Sequence, residues 1–309
     1  MNTTSMPNAA LVSPDSTPTA ASGDALLLDL DPAFTRDAVG RREFAFRHHV
    51  AKHPLLGLEA LAELADRVPP AAVERHAASQ PLLVPGGAED FPGSASETVR
   101  NIERDRHWLV LKNVEQIPEY SRLLDDILDE AAPLLPRREE GMGRREAYLF
   151  MSAPRAVTPV HFDPEHNFLL QIRGSKEVCV GRFADRDSRL AELDRYYNGG
   201  HRNLVAIPSR SSVFPLTAGD GVYLYPWAPH WVHNGPEVSV SLSITFRSRR
   251  SERFEFASLF NHRLRRYGMH PRPAGESDLR DRGKAAAVSL SGWLHRHGRR
   301  QRGDFDFSG

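Results

Sequence analysis

The chain has 309 residues, with 40 Lys+Arg against 40 Asp+Glu, 40% hydrophobic and 26% charged residues, a composition that excludes disorder throughout. At roughly 100 to 200 residues per domain it can form one large domain or two modest ones, each with a sizeable core. No apolar run reaches the roughly 18 residues that span a bilayer, and the start MNTTSMPNAALVSP lacks the basic segment and apolar stretch of a secretory signal, so a cytoplasmic protein without a membrane partner is expected.

Residues 1 to 34 are rich in Ser, Thr, Pro, Ala and Asn and read as a flexible leader. From Arg36 the spacing of Phe44, Phe46, Val50, Leu55, Leu58, Leu61, Leu64 and Val68 predicts helices that end at Pro69-Pro70. A further helix is expected over 70–79, a loop over 81–94, and a helix over 97–105 opened by Ser94-Ala95-Ser96-Glu97. His107-Trp108-Leu109-Val110-Leu111 reads as a strand, and 118–132 as a helix whose Tyr120, Leu123, Leu124, Ile127 and Leu128 share one apolar face.

Residues 145 to 246 change character, with short β runs at 147–151, 158–162, 168–172, 177–180, 212–216, 221–225 and 238–246. Helices do not alternate with these runs, which predicts an antiparallel closed or double-sheet jelly roll, interrupted by one helical insert over 187–197. After Phe246 the pattern turns helical to Gly268, with a last helix near 284–297. The organisation expected is therefore a leader over 1–34, a helical region packing on the barrel over 35–135, the barrel over 136–246 and a basic helical region over 247–309.

A single cysteine, Cys179, excludes an internal disulfide framework, and its place in Val178-Cys179-Val180 predicts a buried, inert thiol. The zero net charge hides an asymmetry: residues 247 to 309 hold 15 Lys+Arg against 7 Asp+Glu, leaving 25 against 33 in the rest. A tail so basic can contact nucleic acid, an acidic partner or the acidic body of its own chain. No helix-turn-helix signal, zinc spacing or aromatic-interleaved basic sheet accompanies Arg263, Arg265, Arg266, Arg296, Arg299 and Arg300, so a solvated basic face is expected rather than nucleic-acid binding.

His161-Phe162-Asp163 places two ligand-type side chains two residues apart, on one face of a strand. Alone the triplet is weak, since about one or two would arise by chance in such a composition. Some 70 residues on, a β run and Pro-bounded turn deliver His230 in Pro229-His230-Trp231-Val232-His233-Asn234. Two histidines and one carboxylate make a facial triad, the ligand set that leaves adjacent positions open on an octahedral metal in non-haem iron(II) oxygenases.

With Thr158-Pro159-Val160-His161-Phe162-Asp163, Asn167-Phe168, Gln171-Ile172-Arg173-Gly174-Ser175-Lys176, Gly219-Asp220, Pro226 and His230-Trp231-Val232-His233-Asn234, residues 105 to 246 resemble the JmjC and cupin-like iron(II)- and 2-oxoglutarate-dependent oxygenases, among them the asparaginyl hydroxylase that inhibits hypoxia-inducible factor. The resemblance implies a mainly β fold with flanking helices around a double-stranded β-helix, the jelly roll of cupin and JmjC proteins. It implies iron(II) held by His161, Asp163 and His230, with His233 as rival for the third place. By the same resemblance Lys176 pairs with the far carboxylate of 2-oxoglutarate, Thr158 hydrogen-bonds that carboxylate, Asn167 lies near the cosubstrate, and Tyr148 is the candidate for the tyrosine that completes the carboxylate pocket; the inward-facing parity of their strand makes Tyr148 and Phe150 candidates for the pocket wall.

The activity implied is hydroxylation of an unactivated C–H bond, on a peptide or protein side chain or a small molecule, with succinate and carbon dioxide as coproducts. Arg247 follows Phe246 where the asparaginyl hydroxylase has an aromatic residue, so the contacts to substrate are expected to differ. The relative's C-terminal helices imply a homodimer here through Phe254, Phe256, Leu259, Phe260 and Trp293. A different class of function is a cupin-type regulatory or binding protein that holds a metal but turns nothing over; a separate anchor for a dicarboxylate, Lys176 with Thr158, favours the enzyme.

Overall fold

The computed structural model describes residues 26–77, 93–105 and 107–296. In chain order its elements are β1 (Leu28–Asp29), α1 (Pro32–Ala38), β2 (Phe44–His48), α2 (Leu58–Arg67), β3 (Val73–Ala77), α3 (Ala95–Arg100), α4 (Ile102–Asp105), β4 (His107–Leu111), α5 (Pro118–Ala131), β5 (Gly143–Ser152), β6 (Val157–His161), β7 (His166–Arg173), β8 (Lys176–Gly181), α6 (Arg186–Tyr197), β9 (Ser211–Leu216), β10 (Asp220–Leu224), β11 (His230–Asn234), β12 (Ser239–Arg247), α7 (Arg249–Arg265) and α8 (Asp278–Arg296). Eight strands form one sheet in the order β1-β2-β10-β7-β12-β5-β4-β3, and four form a second in the order β6-β11-β8-β9. Every pairing is antiparallel, so the fold is a mainly β double-sheet jelly roll with flanking helices.

Alternation along the strands decides what each face covers. On the outer face of the large sheet Phe168, Leu170, Tyr223, Leu242 and Ile244 join the buried stripes of α2 and α5 in one core. On the inner face Leu169, Val222 and Leu224 meet Val178, Val180 and Val232 of the small sheet. Ser239, Ser241, Ser243 and Thr245 alternate with that outer apolar row and are buried as well, so polar groups are built into the interior of the large sheet.

Several expectations for the first third of the chain are corrected. Phe44 to His48 form a strand, with Phe44, Phe46 and His48 buried and Ala45 and Arg47 exposed. A spacing of two, followed by Val50, imitates a helical stripe; the α-helix is confined to Leu58–Arg67, preceded by two 3-10 turns, Val50–Lys52 and Pro54–Leu56. The helix expected over 70–79 is a short 3-10 turn, Pro70–Ala72, followed by β3, because β-branched Val73 and its neighbours pair with β4. Part of the expected leader is built in, since β1 pairs with β2 and α1 is capped by Asp31, whose carboxylate accepts from the Phe34 N–H at 2.7 Å. The loop expected over 81–94 falls largely outside the described residues.

Elsewhere sequence and structure agree closely. Ser94 and Glu97 form the reciprocal capping box at the start of α3. The insert α6 begins on Asp185, which caps it through the Ser188 N–H, and α8 starts six residues earlier than its apolar pattern suggested. Phe254 packs on Trp227 of its own chain at 5.8 Å between ring centroids, and the Trp293 side chain lies outside the described residues. Four arginines of the basic region pair with the acidic body: Arg247 with Glu165, Arg249 with Glu140, Arg250 with Glu139 and Arg265 with Asp194. No helix among the described residues is long and apolar enough to cross a membrane.

One buried chain of hydrogen bonds ties the N-terminal elements and α7 to the barrel. The Gly40 N–H donates to the Tyr223 hydroxyl at 2.9 Å, and that hydroxyl lies 2.6 Å from His166 Nδ1. On the other side of the ring, His166 Nε2 meets Ser248 Oγ at 3.1 Å, and Ser248 donates to Glu139 at 2.6 Å. Since Ser248 gives its proton to the carboxylate, it must accept from His166 Nε2–H, which leaves Nδ1 to accept from Tyr223. Gly40 has φ +75, and a Cβ there would sit 2.2 Å from the Glu139 carboxylate. Tyr223→Phe leaves the Gly40 N–H and His166 Nδ1 without this partner and is expected to cost about 1 to 3 kcal/mol, read as a lower urea midpoint at unchanged slope.

Candidate active site

Between the sheets lies a cavity whose lining includes His161, Asp163, His230, Lys176, Thr158, Asn167, Tyr148 and Phe150. All eight residues singled out as ligands, anchors or wall therefore face one space. His233 does not: it is exposed on β11, on the face opposite His230 and Val232. Strand alternation separates the two histidines that sequence alone left as rivals.

Local backbone geometry explains the convergence. Thr158 and His161 are three residues apart and would point to opposite faces of a regular strand. The pairing of β6 with β11 is irregular between His230↔His161 and Val232↔Thr158, and that irregularity lets both side chains face the cavity. Asp163 lies just beyond the end of β6 rather than on the strand, and its carbonyl accepts from the Trp227 N–H at 2.6 Å. Between them Phe162 is fully buried in a separate cluster with Leu193 and Trp227. Across the tight turn before β8, Gly174 has φ +68, and a Cβ would sit 2.3 Å from the Val238 carbonyl, so the backbone that presents Lys176 requires glycine.

His161 Nδ1 lies 2.9 Å from the Pro159 carbonyl, and His230 Nδ1 lies 2.9 Å from the Ala228 carbonyl. A carbonyl only accepts, so each Nδ1 carries the proton and each Nε2 presents its lone pair. These Nε2 atoms lie 3.8 Å and 3.5 Å from Asp163 Oδ2, and one ligand atom from each residue falls within 4.8 Å of the others. Burial, reinforced by the neighbouring His230, pushes His161 down to about 3, so its ring is neutral at physiological pH. Burial alone would raise the Asp163 carboxyl, but the adjacent Arg202 guanidinium holds it below the usual carboxylate range. Two imidazole Nε2 atoms and one carboxylate oxygen aimed at a common point are a donor set for a divalent transition-metal cation.

Lys176 is 6% exposed, and no anionic partner faces it among the described residues. Burial brings its ammonium down from 10.5 to about 7. Asn167 is oriented by Ser243, whose hydroxyl donates to its side-chain oxygen at 2.9 Å, leaving its amide hydrogens for the cavity. The Tyr148 hydroxyl donates to Glu146 at 2.7 Å, so as it stands it is engaged inside the protein.

Some lining residues were not singled out from sequence. Ser243 and Thr245 could have been, because Ser239-Val240-Ser241-Leu242-Ser243-Ile244-Thr245-Phe246 is an unbroken polar and apolar alternation on a strand buried along its whole length. Arg202, which reaches Asp163 Oδ1 at 2.5 Å, gave no signal within its Gly/Asn-rich surroundings. Glu74, Trp108 and Glu165 complete other parts of the wall. Arg247 is buried between Glu165, which lines the cavity, and Glu255.

No family model matches the chain. The Drosophila melanogaster protein described as Jumonji C domain-containing protein 5 is 29% identical over 115 residues, which are 33% of this chain and 28% of that relative's length. Among solved structures, that of Escherichia coli ycfD covers 91% of this chain and 75% of its own at 19% identity and a TM-score of 0.49. The E. coli ribosomal oxygenase YcfD in complex with cobalt and 2-oxoglutarate covers 86% and 68% at 16% identity and a TM-score of 0.49. Structural likeness at that level carries no argument about activity.

Proposed function

We propose that this chain, related by sequence to the JmjC family of cupin-type oxygenases, is an iron(II)- and 2-oxoglutarate-dependent hydroxylase acting on a peptide or protein side chain. The observation that carries the reading is a buried lysine without an anionic partner, Lys176, in the same cavity as the converging Nε2, Nε2 and Oδ2 atoms of His161, His230 and Asp163. A metal-binding barrel needs only the second feature. A buried cation beside a metal site is the further requirement of a ligand that is both a chelator and a distal anion, as a 2-oxo dicarboxylate is.

In this reading His161, Asp163 and His230 hold the metal, and their backbone-fixed tautomers keep both imidazoles ready to ligate without losing a proton. Iron(II) would supply the activation of oxygen that converts 2-oxoglutarate to succinate and carbon dioxide and hydroxylates an unactivated C–H bond. Lys176 neutralises the distal carboxylate, Thr158 offers a hydroxyl to it, and Asn167, steadied by Ser243, offers an amide. The apolar wall of Leu169, Leu224 and Val232 excludes water from the space between anchor and metal. A homodimer through α7 and α8 is the corresponding proposal for assembly, resting on half-buried Phe256, Leu259 and Phe260, and light scattering in solution checks it.

The test is anaerobic titration of the iron(II)-loaded protein with 2-oxoglutarate, followed by succinate release in air, for wild type, His161→Ala and Lys176→Ala. Metal-dependent binding with turnover to succinate, lost in His161→Ala and weakened in Lys176→Ala, is expected. A protein that binds the metal but neither 2-oxoglutarate nor releases succinate is instead a metal-holding binding protein.

A further inference from the structure

The connection between β8 and β9 spans residues 182–210 and carries α6. Its later part returns along the open edge of β6: the Leu204 N–H donates to the Val160 carbonyl at 2.9 Å, and His161 and Asn203 form a β-bridge. Arg195 of α6 fixes this stretch from the other side, donating to the His201 carbonyl at 2.6 Å and to the Asn203 carbonyl. The residue held between these two carbonyls is Arg202. Its guanidinium enters the cavity and meets Asp163 Oδ1 at 2.5 Å, with both side chains about one-sixth exposed, at 15% and 16%.

The two oxygens of Asp163 thus have separate partners. Oδ2 faces the two imidazole Nε2 atoms at 3.8 Å and 3.5 Å, whereas Oδ1 is held by Arg202. A carboxylate free at both oxygens readily chelates a cation through both, as Asp and Glu do at many oxygen-rich sites. Such chelation would fill one of the positions that a facial triad leaves open. Capping Oδ1 prevents it, at the electrostatic cost of placing a fixed positive charge near a cation site.

We propose that Arg202 is a positioning residue that restricts Asp163 to a single-oxygen contact with the metal and so preserves a coordination position for the cosubstrate. The idea rests on the metal-dependent reading of the site given above. It requires two opposite effects of removing Arg202: metal binding that is kept or strengthened, because a positive charge is lost and a second oxygen is gained, and cosubstrate binding that is weakened. A residue that only holds the local fold together would weaken both.

The experiment compares wild type, Arg202→Gln and Arg202→Lys, each first checked for a cooperative melt without metal. Manganese(II) affinity, water-proton relaxivity of the manganese-loaded protein and 2-oxoglutarate affinity of that complex are then measured. For Arg202→Gln the expectation is manganese affinity equal to or above wild type, relaxivity lower by about a third as one of three open positions closes, and 2-oxoglutarate affinity lower by about tenfold or more. Lysine can cap one oxygen without a fork, so Arg202→Lys should fall between the two, and it carries the comparison if the glutamine variant does not fold. Parallel loss of metal and cosubstrate affinity, or a glutamine variant identical to wild type, overturns the proposal. Wild-type protein that fails to bind manganese removes the proposed function itself, and this inference with it.

Discussion

Lys176→Met is expected to make the metal-free protein more stable at pH 7 by about 1 to 4 kcal/mol while weakening 2-oxoglutarate binding. The native ammonium is buried with no anionic partner among the described residues, and burial lowers it from 10.5 to about 7. The unfolded chain keeps this proton up to its ordinary value, whereas the folded chain releases it near 7. Between those values the unfolded state binds more protons, so the wild-type protein gains stability as pH rises through that window. The advantage of methionine should therefore be largest at and below pH 7 and disappear towards pH 10.5. Urea midpoints at a series of pH values check this, and a variant less stable than wild type at pH 7 refutes it. The same linkage governs the ligand: a dicarboxylate favours the ammonium, so above pH 7 binding takes up a proton and affinity falls by about tenfold per pH unit, measurable by calorimetry in buffers of different ionisation enthalpy.

The second large effect separates two histidines three residues apart. His230→Ala should lower affinity for manganese(II) or cobalt(II) by more than about 100-fold, since it removes a ligand whose tautomer the Ala228 carbonyl fixes. His233→Ala, on the exposed side of the same strand, should leave metal affinity within about twofold of wild type. Equal losses in the two variants would mean that the ligand set is not His161, Asp163 and His230. Because neither change needs a known substrate, the pair can be read from metal titration alone.

The strands of the second half were legible because their alternation and turn residues are local properties, and so was the ligand triplet, which lies at one strand end. His230 against His233 needed the strand's facing, which the sequence around Pro226-Trp227-Ala228-Pro229 leaves open. The N-terminal strand β2 was hidden because two phenylalanines two apart and a valine four further on satisfy both periods. What joins β2 to the rest of the sheet is β10, more than 170 residues later, and nothing local records that. Arg202 was out of reach for the same reason: its meaning comes from Asp163, across 39 residues and a helix.

The order of strands in the large sheet also bears on how the protein is made. β1 and β2 take one end, β3, β4 and β5 the other, and the strands that join them, β7, β10 and β12, come later in the chain. A nascent chain leaving the ribosome cannot extend a growing sheet at its rim; it holds two early fragments apart until central strands slot between them. Release of Ser239 to Arg247 brings β5 and β7 together through β12, after His230 has already emerged. Closure of the large sheet over the ligand-bearing β6 and β11 thus waits on β12, with the slow, non-local kinetics expected of such connectivity.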